Sequence, residues 1–214
     1  MNRINFIRAA GVSLASLFMR DVLFANRFKG PTMNLPDEVT AILDDQLVSL
    51  TGKDESWKYK DLIVELLTQG ESIAVAIESP RSSLTAVTLR WKQKGRDNSR
   101  ILNDHWERTY GDVSWHAPSG SELLPWYFME HDGRETIGVG VKTGTGSFCF
   151  WQIGKEQVNL TMDTRFGGGA VRLGGRRLAA TCMRAALSEF LACCRMWPRL
   201  RVCCCWAIGC AKTG

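Results

Sequence analysis

From Asp61 onward, apolar residues recur at every second position rather than every third or fourth, in short runs bounded by turn residues. Gln69-Gly70 divides the run 62–67 from 72–78, where Ile73, Val75 and Ile77 alternate with small or polar neighbours. Val87, Leu89 and Trp91 repeat the pattern between Pro80 and Gly95. A period of two puts one face of each strand against a core and leaves the other wetter, as in antiparallel sheets. His131-Asp132-Gly133-Arg134 predicts a tight hairpin with positive φ at both central positions, joining 126–130 to 136–141. Gly154-Lys155 separates 148–153 from 157–162, and Gly174-Gly175 predicts a turn that joins Val171 and Leu173 to Leu178. Six or more hairpin-linked strands with no long helical period predict an all-β fold, an antiparallel β-sandwich over residues 32–181. Their irregular spacing excludes a propeller or solenoid repeat.

Charge divides the chain into three parts. Residues 1–31 carry Arg3, Arg8, Arg20, Arg27 and Lys29 against Asp21, a net of +4, and residues 182–214 are again +4, with five basic residues against Glu189. The body between them holds 17 basic and 20 acidic residues, so it is −3, and the overall +5 is no nucleic-acid signature. In the front segment, Arg3 and Arg8 precede the uncharged stretch 9–18, which is too short to span a bilayer but of signal-peptide length. It predicts a short signal-like helix and an exported protein, periplasmic or extracellular, with no stable membrane insertion.

Familiar catalytic signatures are missing. His105, His116 and His131 have no spacing that would set two of them on one helix face for a metal. Ser119-Gly120-Ser121 lacks a complete nucleophile elbow, and Gly138, Gly140, Gly144 and Gly146 alternate in a strand and turn rather than opening a helix. No catalytic residue, metal ligand or cofactor is therefore assigned. The distinctive segment is 103–115, NDHWERTYGDVSW, in which Trp106, Tyr110 and Trp115 stand among Asp104, Glu107, Arg108 and Asp112. Aromatic faces beside carboxylates and a guanidinium suit sugar recognition, since C–H patches stack on rings while hydroxyls bond to charged groups. Trp106, Arg108, Tyr110, Asp112 and Trp115 are the candidate substrate-binding residues. The alternative is that Trp106 and Tyr110 belong to the core and the charges to a solvated loop.

This segment resembles the W-E-R-S-Y-G-D-x-x-W motif of alpha-galactosidase-like glycoside hydrolases of family 36, the melibiase type, with Thr109 in place of the serine. Asp163-Thr164-Arg165-Phe166-Gly167-Gly168 and the stretch from Val171 to Leu178 resemble two further stretches of that family, in the same order, and the likeness covers roughly 33–181. The resemblance implies the family's N-terminal supersandwich-type domain, which in full-length members precedes a (β/α)₈ barrel carrying both catalytic carboxylates. Only 33 residues follow position 181 here, so the barrel's carboxylates have no counterpart in this sequence. The expectation is a sandwich fragment, inactive by itself, of a secreted enzyme of carbohydrate metabolism acting on alpha-galactosides. The face a missing barrel would leave predicts self-association. The alternative is a self-standing carbohydrate-binding module.

The segment 182–214 holds seven of the eight cysteines, among them Cys193-Cys194 and Cys203-Cys204-Cys205, with no C-x-x-C pair and no histidine. Adjacent cysteines cannot easily reach relaxed disulfide geometry with each other. Arg195-Met196 and Pro198-Arg199-Leu200 resemble a blurred form of the family's lead into the barrel. A lost reading frame accounts for both features and predicts an irregular or spuriously helical tail.

Overall fold

The computed structural model describes residues 34–69, 72–93, 98–103, 113–142, 146–165 and 167–186. The predicted signal-like helix and the tail after 186 lie outside them. Thirteen strands, all paired antiparallel, make up the described chain, and no helix occurs among the described residues. In chain order they are β1 (Glu38–Leu43), β2 (Gln46–Ser49), β3 (Thr51–Lys53), β4 (Ser56–Tyr59), β5 (Leu62–Gln69), β6 (Ser72–Lys92), β7 (Arg100–Asn103), β8 (Leu124–Pro125), β9 (Tyr127–His131), β10 (Thr136–Val141), β11 (Phe148–Ile153), β12 (Gln157–Asp163) and β13 (Val171–Ala186).

Two layers share one strand. The first has the order β3-β4-β5-β6-β13-β10-β9-β7; the second runs β2-β1-β6-β12-β11-β8. The first half of β6 pairs with β5 and β13, and its second half with β1 and β12. The two runs that flank Pro80 in the sequence are thus one bent strand. Two carboxylates hold the bend. Asp61 accepts the backbone N–H groups of Arg81 (2.7 Å) and Ser82 (3.1 Å) and the Ser82 hydroxyl (2.6 Å), while Asp44 accepts the N–H of Ser83 (2.9 Å). The Ser82 hydroxyl, helped by the two backbone donors, lowers the Asp61 carboxyl to about 2.

Two turn expectations change. Gly174-Gly175 is not a hairpin but lies inside β13, whose register with β6 slips between Leu173↔Ser79 and Arg177↔Ile77. Four residues of β13 advance there against two of β6, so the glycines mark a bulge. In the loop after His131, Gly133 has φ 93° but Asp132 stays out of the left-handed region. Asp132 instead accepts the N–H groups of Arg134 (2.8 Å) and Glu135 (3.0 Å), which widens the turn to four residues. The pair of positive φ values sits between β1 and β2, at Asp44 (50°) and Asp45 (62°), where Leu43 pairs with Gln46.

Alternation builds the core. Val39 and Ala41 of β1, Val87, Leu89 and Trp91 of β6, Leu160 and Met162 of β12, and Trp151 of β11 point inward from the second layer. Val64 and Leu66, Ile73, Val75 and Ile77, and Val139 and Val141 meet them from the first. Trp151 is the hub, with ring centroids 6.1 Å from Trp91 and 5.4 Å from Phe128 of β9 across the interlayer gap. Cys149 and Cys182 are buried thiols, and burial raises both above the ordinary thiol range. Cys182 continues the core beyond residue 181, opposite Ile73 and Val141.

Candidate functional site

The distinctive segment is rooted at an edge. β7 is the last strand of the first layer, and Ile101 forms an isolated bridge with His116 through reciprocal backbone hydrogen bonds of 2.8 and 2.9 Å. His116 Nε2 donates to the side-chain oxygen of Asn103 (2.7 Å), and Nδ1 lies 3.2 Å from the Ala117 carbonyl. Glu122 Oε2 stands 3.8 Å from Nε2. Asn103, buried, and His116 thereby close the base of the stretch between them.

Of the five nominated residues, Trp106, Arg108, Tyr110 and Asp112 lie outside the described residues. Trp115 is 41% exposed and meets His131 edge-on, with centroids 6.1 Å apart at 67°. His131 Nδ1 is in turn 3.0 Å from the Thr136 hydroxyl. An exposed indole beside an imidazole can stack on a ring and offer polar contacts. The sequence pattern gave His131 only a turn role, because its link to Trp115 depends on β9 pairing with β7.

The Asp163-x-Arg165 stretch is an ion pair closed on itself. Arg165 donates Nε to both carboxylate oxygens of Asp163 (3.0 Å each) and Nη2 to one of them (2.5 Å), and these bonds hold the Asp163 carboxyl below its usual range. It shapes the end of β12.

A second feature lies between the layers. A cavity of about 410 Å³ is lined by Trp91, Phe128 and Trp151 together with Asp37, Lys92 and Arg184. The indole N–H of Trp91 donates to the Asn34 carbonyl (2.7 Å) and that of Trp151 to the Trp126 carbonyl (3.3 Å). Sequence reasoning missed this site. Trp91 and Trp151 read as core, and Arg184 fell in the stretch set apart by composition. The signal was the period itself: Ala180, Cys182 and Arg184 share one face of β13.

Among the described residues no three His, Cys, Asp or Glu side chains gather as a metal-binding set. Comparison with family models, characterised proteins and solved structures finds no match.

Proposed function

We propose that this chain is the N-terminal β-sandwich of an exported alpha-galactosidase-like glycosidase, a scaffold for a catalytic barrel that the sequence does not contain. The observation that carries the reading is the order of the three family-like stretches, NDHWERTYGDVSW, DTRFGG and VRLGGRRL, along one chain. The architecture is of the kind the reading requires: an all-β antiparallel sandwich in which 103–116 begins and ends at one edge strand. In this role the segment would face the barrel, with Trp115, Trp106, Tyr110, Arg108 and Asp112 helping to shape the mouth of a sugar pocket. The inward residues of β6, β11 and β12 keep the scaffold rigid.

On this reading the chain alone neither hydrolyses alpha-galactosides nor holds galactose at the 103–115 segment. Tryptophan fluorescence under galactose titration tests the second point, with Trp106→Ala as the comparison. A flat response in both proteins is the expected result. A saturable signal lost in Trp106→Ala would favour a self-standing carbohydrate-binding module instead.

A further inference from the structure

Five non-glycine residues among those described have positive φ. Asp44, Asp45, Asp54 and Lys60 lie in the short turns that join β1 to β2, β3 to β4 and β4 to β5, where such values are ordinary. The fifth is Trp126, with φ 55°, at the step where the chain leaves β8 in the second layer for β9 in the first. Its carbonyl is fixed from two sides, by the Val141 N–H (2.8 Å) and the Trp151 indole N–H (3.3 Å). Bulky residues rarely adopt this conformation and glycine adopts it readily, so the backbone does not explain the indole. The core does not explain it either, since Trp126 is 39% exposed. Strain retained beneath an accessible side chain points to a use for that side chain.

The indole meets Phe148, itself 48% exposed, edge-on, with ring centroids 5.6 Å apart and planes at 78°. Phe148 begins β11 and pairs with Asp163 of β12, so the two side chains leave the same face of the sheet, opposite to the buried Cys149 and Trp151. The fork of Arg165 onto Asp163 fixes a half-exposed guanidinium at this end of the sheet. Nε and Nη2 serve the carboxylate, and Nη1 has no partner among the described residues. Accessible ring surface beside fixed N–H donors suits a ligand with C–H faces and hydroxyl edges. Because Asp163 neutralises Arg165, the site favours neutral hydroxyls over an anion. The ring angle restricts shape as well. Planes at 78° cannot both lie against a flat ribbon of sugars, whereas a chain whose successive rings turn can touch both.

We propose that Trp126, Phe148 and Arg165 form a surface binding site for a neutral, curved oligosaccharide of the α-1,4-glucan type. One sugar ring lies on the indole, a neighbouring ring on Phe148, and the Arg165 guanidinium donates to hydroxyls. The site stands at the start of β11 and the end of β12, apart from the 103–115 segment, and does not rest on the glycosidase reading. A single free sugar reaches only one of the two rings, so galactose is not its ligand.

The test titrates the full chain with maltohexaose, cellohexaose and galactose, read by calorimetry, with light scattering for the oligomeric state. Maltohexaose is expected to saturate with an affinity at least about tenfold above that of cellohexaose, and galactose to give no response. Trp126→Gly, which suits the positive φ and so keeps the fold, should abolish that binding. Phe148→Ala, an exposed position, should weaken it about tenfold, and Arg165→Ala several-fold. Equal binding of cellohexaose would overturn the curved chain, and saturation by galactose would overturn the two-ring contact. Binding unchanged in Trp126→Gly and Phe148→Ala would remove these rings from the site. No saturable response to maltohexaose, or a dimer of the parent that Trp126→Gly dissociates, would make the aromatic pair something other than a sugar surface and sink the proposal.

Discussion

Trp151 and Trp115 are one residue type in two opposed settings. Trp151 is fully buried between the layers, ringed by Trp91 and Phe128 and tied by its N–H to the Trp126 carbonyl. Trp115 lies beside β7, 41% exposed, with an edge-on ring contact to His131. Burial of apolar area stabilises at about 25 cal/mol per Å², so the first indole supports the fold and the second contributes far less to it. Composition does not separate them; position across the sheets does.

The sharpest way to break the contrast is to truncate both. Trp151→Ala should cost about 3–5 kcal/mol, seen as a large fall in the denaturant midpoint, whereas Trp115→Ala should stay within about 0.5 kcal/mol. Comparable losses would erase the distinction between core and edge. Next in size, Asn103→Ala removes the acceptor that holds His116 and leaves an imidazole N–H unmatched, at about 1–2 kcal/mol. The accompanying readout is faster backbone hydrogen exchange at Ile101 and His116, with the Trp151 core unaffected.

A smaller effect comes from the bend of β6. Asp61→Asn should destabilise by about 1 kcal/mol, because the hydrogen bonds to the Arg81 and Ser82 backbone and the Ser82 hydroxyl lose their charged acceptor in a setting that solvent partly screens. The folded Asp61 carboxyl, at about 2, lies below its ordinary value of 3.8, so its contribution is present above the ordinary value and lost as pH falls through 2. Melting curves between pH 5 and about 2 should therefore drop more steeply for the parent than for Asp61→Asn. Parallel curves would remove Asp61 from the account of the bend. Smallest of all, Arg165→Ala should change stability by less than about 1 kcal/mol, since the Arg165 side chain is half exposed and solvent screens its pair with Asp163.

Much of the fold was legible because period two is a local signal. The inward sets Ile73, Val75 and Ile77, Val87, Leu89 and Trp91, and the pair β11 and β12 all follow from alternation. Elements that depend on distant partners were not legible. β1 to β4 were not read as strands; Asp44-Asp45 adopts the hairpin turn without the usual glycine. The strand break assigned at Pro80 became a bend, because Asp61 and Asp44 capture the backbone donors there from other strands. Gly174-Gly175 read as a turn since local pattern cannot tell a bulge from a hairpin. At the candidate site, Trp115 was nominated from its neighbours in sequence, but His131 meets it through the β7–β9 pairing and Asn103 meets the adjacent His116 across the Ile101–His116 bridge. Arg184 escaped notice because its environment is set by β10 and the facing layer.

The central claim is that this sandwich is a scaffold whose chemistry comes from a barrel. It is tested most directly by fusing the chain through residue 186 to the barrel of an alpha-galactosidase-like enzyme deprived of its own sandwich. Hydrolysis of a nitrophenyl alpha-galactoside is then compared among the fusion, the bare barrel and the chain alone. The account predicts turnover in the fusion, little in the bare barrel and none in the chain. Turnover by the chain alone, or a fusion no more active than the bare barrel, would contradict it.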